Sequence, residues 1–273
     1  MSLLDLDAYL QRIGHTGPRT PTRDTLAAVH GAHAQAIAFE NLDPLLGRPV
    51  RLDLPSLQRK LVSGGRGGFC YEHNLLLGAA LRALGFAVTD LAARVHWNVA
   101  PGIVRPRTHM LLRVDLGPTR YLVDTGFGGR TLTAPLQLDL PGAQGTPHGA
   151  FRLLRDDDGF VLQAGVDGAW KALYSFDLQP QVLADYELTS WYLCHHPESQ
   201  FQLALVAARP VADGRWTLRD RQLSFHHLDG STDVQTLSTV AALRTALETR
   251  FGIALSDLPG LDARLAEVAA LRA

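Results

Sequence analysis

A cysteine, a histidine and an aspartate, Cys70, His109 and Asp124, follow one another along this chain at intervals of 39 and 15 residues. Cys70 lies in the run Arg66-Gly67-Gly68-Phe69-Cys70-Tyr71-Glu72-His73-Asn74, just after two glycines and at the head of a strong helix pattern. A thiol at a helix start sits among backbone N–H groups that have no intrahelical partner, at the positive end of the helix dipole. Such surroundings favour the thiolate, which is the reactive form. A histidine within reach would take the thiol proton, and an aspartate behind it would fix the imidazole tautomer. Together they would make a nucleophile, a base and an orienter in series.

Whether the three can meet depends on one turn. Asp115-Leu116-Gly117-Pro118-Thr119 is a turn signal between two strand patterns, Thr108 to Val114 and Tyr121 to Asp124. Paired positions of an antiparallel hairpin have residue numbers with a constant sum, and a turn centred near Gly117 sets that sum near 234. His109 and Asp124 total 233, so they stand opposite each other or one place off, and a single residue of register decides whether they share a face. Taken singly, each residue has a commoner structural role. A lone cysteine is usually a small buried hydrophobe, a strand histidine is usually structural, and an aspartate before Thr-Gly usually belongs to a turn. The combination is what points to chemistry.

The elements that must position these residues change type along the chain. Asp5 to Ile13 has a short helical pattern ended by Gly14. Thr22 is an N-cap for a second helix carrying Leu26, Val29 and His33. Leu54-Pro55-Ser56 opens a third, stopped by Gly64-Gly65, and a fourth runs from Cys70 to Leu84 with Gly85 as its C′ glycine. After Gly85 the pattern turns to short strands. Phe86 to Val88, Ala92 to Val95, Ala150 to Leu154, Phe160 to Ala164 and Trp170 to Phe176 join the two strands of the hairpin, as in an antiparallel barrel or sheet. The tail mixes types: Gln202 to Ala208 and Arg215 to Arg219 read as strands, Val240 to Phe251 and Leu261 to Arg272 as helices. The expected class is α+β.

Composition narrows the function classes. The 273 residues are 46% hydrophobic, enough for a substantial core in two domains or three small ones. Lys and Arg number 26 and Asp and Glu 27, a balance that gives no support to a nucleic-acid or anionic-membrane partner. The N-terminal Met1-Ser2-Leu3-Leu4-Asp5-Leu6-Asp7 is acidic and lacks a signal-peptide order. No stretch reaches the roughly 20 apolar residues of a membrane span. Two cysteines make no disulfide framework, and a reactive thiol suits a reducing compartment. A soluble, cytoplasmic protein is expected, and its oligomeric state is not readable.

The chain resembles the arylamine N-acetyltransferases over nearly its whole length. The resemblance rests on Ile37-Ala38-Phe39-Glu40-Asn41-Leu42, on the Arg66 to Asn74 run, and on Ala93-Arg94-Val95. Thr108-His109-Met110 and Tyr121-Leu122-Val123-Asp124-Thr125-Gly126-Phe127-Gly128 complete it. It implies Cys70, His109 and Asp124 as a catalytic triad on a papain-like core, with residues 1–86 a helical bundle, 87–190 an antiparallel β-barrel and 191–273 an α/β lid. It implies ping-pong transfer of an acetyl group from acetyl-CoA, a cosubstrate and not a resident cofactor, to arylamines or arylhydrazines, a xenobiotic-metabolising activity. It also implies Phe39, Val95, Phe127 and Phe201 as pocket walls and an Arg66–Glu40 pair holding the nucleophile helix, where an ordinary surface arginine is the alternative. The segment Ser190 to Ser199 keeps only its Pro197-Glu198-Ser199 end and the nearby Phe201, so acceptor preference is open. Alternatives are an amide synthase acylating an amine from a carrier-bound polyketide, a thiol hydrolase, and a non-enzymatic binding module.

Gly126, Gly128 and Gly129 let a backbone approach something closely. They suit contact with the acyl donor or, equally, a tight turn leaving a strand. Neither this loop nor Gly64 to Gly68 has a nucleotide-binding pattern. His195-His196 and His226-His227 are not expected to bind metal, because adjacent residues of an extended segment point to opposite faces. Cys194 lacks a glycine–helix context and reads as structural.

Overall fold

The computed structural model describes residues 4–100, 102–156 and 159–271. The first third is mainly helical: α1 (Leu6–Arg12), α2 (Arg23–Ala36), a two-residue strand β1 (Phe39–Glu40), α3 (Leu42–Leu45), α4 (Leu54–Leu57) and α5 (Cys70–Ala83). Thr22 caps α2 by accepting the Thr25 N–H at 3.3 Å. The third predicted helix is α4 with a π-helical continuation, Gln58–Ser63.

The middle is an antiparallel sheet of β2 (Ala87–Val95), β3 (Arg107–Leu116), β4 (Thr119–Val123), β5 (Leu136–Gln137), β6 (Ala143–Thr146), β7 (Gly149–Asp156), β8 (Gly159–Val166) and β9 (Ala169–Phe176), ordered β5-β4-β3-β2-β9-β8-β7-β6. Its edges, β5 and β6, meet through one side chain. The Gln144 amide accepts from the Gln137 N–H at 2.8 Å and donates to the Gln137 carbonyl at 2.8 Å, so a glutamine stands in for the last rung of the barrel. The strands expected at Phe86–Val88 and Ala92–Val95 are one continuous β2, because Thr89, Asp90 and Leu91 also pair with β3.

The last third holds α6 (Leu183–His195), α7 (Gln200–Leu203), β10 (Val206–Val211), β11 (Gly214–Arg219), β12 (Gln222–His227), β13 (Thr232–Thr236), α8 (Val240–Thr249) and α9 (Leu261–Ala270). The expected strand at Gln202–Ala208 is corrected: Ser199 accepts the Phe201 N–H at 3.3 Å and starts α7, and extended backbone begins only at Val206. Arg272, the predicted end of the final helix, and Met1 to Leu3 lie outside the described residues. β1 joins β10 to β13 in one sheet, with Phe39 opposite Ala208 and Glu40 opposite Ala207.

Alternation along β3 places His109. Met110, Leu112 and Val114 pack against the helices with Leu76, Leu77 and Leu81, while His109 and Leu111 face into the barrel with Leu91, Leu122 and Leu173. A third apolar cluster lies between the C-terminal sheet and α8 and α9, around Leu218, Leu243, Leu247, Phe251 and Leu265. Among the described residues no helix is long and apolar enough to cross a membrane.

Candidate active site

The hairpin register brings His109 and Asp124 together. Pairs of β3 and β4 total 235, as in Leu112 with Val123, so Asp124 continues the ladder opposite Leu111. His109 is two residues from Leu111, hence on the same face and a diagonal neighbour of Asp124. His109 Nε2 lies 2.7 Å from Asp124 Oδ2, with both residues buried. The turn centres half a residue beyond the position expected from the sequence, and that half residue produces the shared face.

The Asp124 carboxylate is ringed by donors. Tyr174 donates to Oδ2 at 2.9 Å, and Asn74 Nδ2 and the Gly126 N–H donate to Oδ1 at 2.9 and 2.8 Å. Burial would raise the carboxyl's pKa, but the charge and hydrogen bond of His109, with the bonds from Asn74 and Gly126, hold it below the usual value. Burial would also keep His109 neutral. The Asp124 charge and hydrogen bond, with a hydrogen bond to Cys70, outweigh it and lift the imidazole to about 10. Nε2 is committed to Asp124, which leaves Nδ1 for the thiol.

Cys70 is the first residue of α5 and is 4% exposed. Its backbone N–H belongs to the first turn, where no intrahelical acceptor exists. The helix start is held by charge. Glu72 Oε2 accepts the Phe69 N–H at 3.1 Å, and Glu72 Oε1 meets Lys60 Nζ at 2.7 Å. Lys60 also reaches Asp43 at 2.7 Å, and Arg66 pairs with Glu40 at 2.7 Å, the pair that the resemblance implied. Burial opposes the Lys60 charge, but Glu72, Glu40 and Asp43 keep it above the ordinary lysine value.

Gly126 is packed on the thiol's own backbone: a Cβ there would stand 2.6 Å from Cys70 Cα and 2.9 Å from Asn74 Nδ2. Gly128, at φ +61°, lies against Phe39, and a Cβ on Gly129 would meet Thr217 at 3.0 Å. Close approach is therefore the use of Gly126, and its partner is the Cys70 backbone.

Aromatic rings surround this centre on two sides. Phe127 stands edge-on to His109 at 5.0 Å and packs on Tyr174 at 5.1 Å. Val95 pairs across the sheet with Tyr174. Phe39 and Phe201 meet at 6.0 Å, and Phe69 lies 5.2 Å from Phe201. Asn41 secures Phe201 by donating to the Phe201 and Ala204 carbonyls at 3.0 and 2.7 Å. The four residues expected as walls thus form two groups, Phe39 with Phe201 and Val95 with Phe127 through Tyr174.

Other singled-out residues lie apart. Burial pushes the Cys194 thiol up to about 12. His195 ends α6 and bonds the Trp191 carbonyl, so the extended geometry expected of His195-His196 does not apply. His226 and His227 do alternate on β12, bonding Thr217 and Asp233. Sequence reasoning missed Asn74 and Tyr174. Asn74 carried a signal, being one helical turn after Cys70, whereas Tyr174 comes from β9 and only the barrel brings it in.

Comparison with known proteins gives one consistent result. The family described as N-acetyltransferase matches residues 22–258. An arylamine N-acetyltransferase of Mycolicibacterium smegmatis is 45% identical, with 97% of this chain and 98% of the relative covered. The solved structure of Mycobacterium marinum arylamine N-acetyltransferase superposes with a TM-score of 0.94 at 43% identity, covering 97% of this chain and all of that one. A structure of the M. marinum enzyme in complex with CoA matches with a TM-score of 0.93 at 44% identity, covering 97% and 99%.

Proposed function

This chain belongs to the arylamine N-acetyltransferase family, and we infer its chemistry from that membership and from the geometry around Cys70. It transfers an acetyl group from acetyl-CoA to arylamines. Arylhydrazines are further acceptors in this reading.

Cys70 is the nucleophile. His109 Nδ1 takes the thiol proton, and the sulfur attacks the acetyl carbonyl of acetyl-CoA. The Cys70 backbone N–H, free at the helix start, stabilises the oxyanion. The carbon–sulfur bond to CoA breaks, the CoA sulfur receives the proton from His109, and an acetyl thioester remains on Cys70. The arylamine nitrogen then attacks that thioester. His109 takes the amine proton and returns it to the Cys70 sulfur as the amide leaves. Asp124 stabilises the imidazolium and keeps Nδ1 facing the thiol.

Phe39, Phe201, Phe127 and Val95 form the acceptor's apolar walls. The acyl donor runs beside Gly126, Gly128 and Gly129, where the lack of a side chain on Gly126 lets the loop lie against the Cys70 backbone. Residues 1–86 supply the nucleophile, 87–190 the base and its orienter, and 191–273 cover the pocket. A thiol used in this way is best kept in the reducing cytoplasm.

The observation that supports this reading is the buried His109–Asp124 pair at 2.7 Å, with Cys70 placed at the head of α5. Steady-state rates with both substrates varied test it. Parallel double-reciprocal lines are expected, with activity lost in Cys70→Ala. Intersecting lines, or a Cys70→Ala variant of undiminished rate, would overturn it. CoA release that continues past one equivalent without amine would identify a hydrolase.

A further inference from the structure

Beneath α5 lies a row of buried polar side chains that the acetyl-transfer steps do not use. Tyr9 Oη is 2.8 Å from His33 Nδ1, His33 Nε2 is 3.0 Å from His73 Nδ1, and His73 Nε2 is 3.1 Å from the Ala38 carbonyl oxygen. Tyr9, His33 and His73 are fully buried. They come from α1, α2 and α5, so the row crosses the whole helical layer.

The end of the row fixes every proton in it. A carbonyl only accepts, so His73 Nε2 carries a hydrogen. Burial pushes His73 down to about 4 and His33 well below the usual range, and both rings are neutral at pH 7. Arg12 and His30 face His33 and act in the same direction. Around His73, Glu40 and Asp124 oppose the shift and Lys60 favours it. A neutral His73 with Nε2–H must accept at Nδ1, so His33 donates from Nε2. His33 then accepts at Nδ1, and Tyr9 donates its hydroxyl hydrogen. All three bonds point the same way and end on a carbonyl, which cannot pass a proton onward. The row therefore positions and does not conduct.

What it holds is the junction of pocket and nucleophile. The Ala38 carbonyl also accepts the Gly68 N–H at 3.3 Å, and a Cβ on Gly67 would lie 2.0 Å from it. Glu40 N–H returns a bond to the Gly68 carbonyl at 2.8 Å. Phe39 lies between these two bonds, and its ring stacks on His73 at 6.4 Å with an interplanar angle of 11°. The start of α5 has its own anchor in Glu72 and Lys60. Phe39 depends on His73 both through the preceding carbonyl and through ring contact.

We propose that Tyr9, His33 and His73 are positioning residues for the acceptor step: a one-way hydrogen-bond chain that sets the Ala38 carbonyl and with it the Phe39 wall of the amine pocket. The inference rests on the reading of Phe39 as an acceptor wall given above.

Two measurements test it. The first needs no variant: long-range 1H–15N spectra of histidine-labelled protein at pH 7. Both His33 and His73 are expected as neutral rings with hydrogen on Nε2. Hydrogen on Nδ1 of either ring, or a cationic ring, overturns the chain. The second separates the half-reactions. His73→Leu is expected to raise the arylamine KM about tenfold, the scale of one misfitted group in an apolar pocket, with acetyl-enzyme formation unchanged. His73→Gln, which keeps one donor and one acceptor, restores the KM. An unchanged KM, or a fall in both half-reactions that Gln does not rescue, overturns the positioning role. Failure of the wild-type protein to form an acetyl-enzyme would instead count against the proposed function, and the spectra would still judge the chain.

Discussion

Asn74 ties the helix that begins at Cys70 to the carboxylate bonded to His109: its Nδ2 donates to Asp124 Oδ1 at 2.9 Å and to the Met110 carbonyl at 2.7 Å, and its Oδ1 accepts the Thr125 N–H at 3.2 Å. Cys70 and Asn74 are four residues apart on α5, so one face of one helix carries both the thiol and the clamp. The distance between the helix and the β3–β4 hairpin is thereby set at the site itself.

Removing this clamp should slow the reaction without removing any group that touches substrate. Asn74→Ala is expected to lower the rate of acetyl-enzyme formation about 10²-fold, the usual effect of a displacement near 1 Å. It should also cost about 1–3 kcal/mol of stability for the bonds left unmade. Single-turnover CoA release and denaturant unfolding check the two parts.

The half-buried lysine gives a sharper stability test. Lys60 Nζ bridges Asp43 and Glu72, and its side chain is 16% exposed. Lys60→Met leaves the Glu72 carboxylate without a cation, while Asp43 keeps Arg48 and Arg66 at 3.4 Å, and should cost about 3 kcal/mol or more. Adding Glu72→Gln should recover part of the loss, because the unpaired charge is then gone. Urea unfolding of the single and double variants measures both effects.

Stability at acid pH should fall for a reason distinct from the carboxylates. Burial pushes His30 and His73 to about 4 and His33 well below the usual histidine range. The unfolded chain takes up protons on these rings as pH drops below 6.5, and the folded chain does not. Their contribution is therefore complete above 6.5 and is lost as pH falls towards 4. Urea midpoints should decline across that window, and His30→Gln should make the decline shallower.

At alkaline pH the sign reverses for His109. Its folded pKa of about 10 exceeds the unfolded 6.5 because of Asp124. The stabilisation is complete below 6.5 and is lost as pH rises through about 10. Asp124→Asn removes that cause, so the variant should show a flatter stability profile between these limits.

Much of this site is local in sequence, and that part was legible. Gly67-Gly68 followed by a helix pattern marks the thiol's position, and the Gly117 turn brings His109 and Asp124 within one register step of each other. The step itself was not legible, because a half-residue shift in the turn centre decides the face. Tyr174 was invisible because its role depends on β2 and β9 pairing across the barrel. α6 went unread because Leu188, Trp191 and Tyr192 point outward and blur its 3.6-residue stripe. The short α7 was hidden by an apolar run, Phe201 to Ala208, that resembles a strand. The Tyr9–His33–His73 row joins three helices and has no spacing that sequence could reveal.

The central claim is a covalent step on Cys70, and intact-protein mass spectrometry after mixing with acetyl-CoA, without amine, tests it most directly. The account predicts a gain of one acetyl group, about 42 Da, that is absent in Cys70→Ala and disappears when an arylamine is added. No adduct on the wild-type protein, or an adduct that persists in Cys70→Ala, would contradict it.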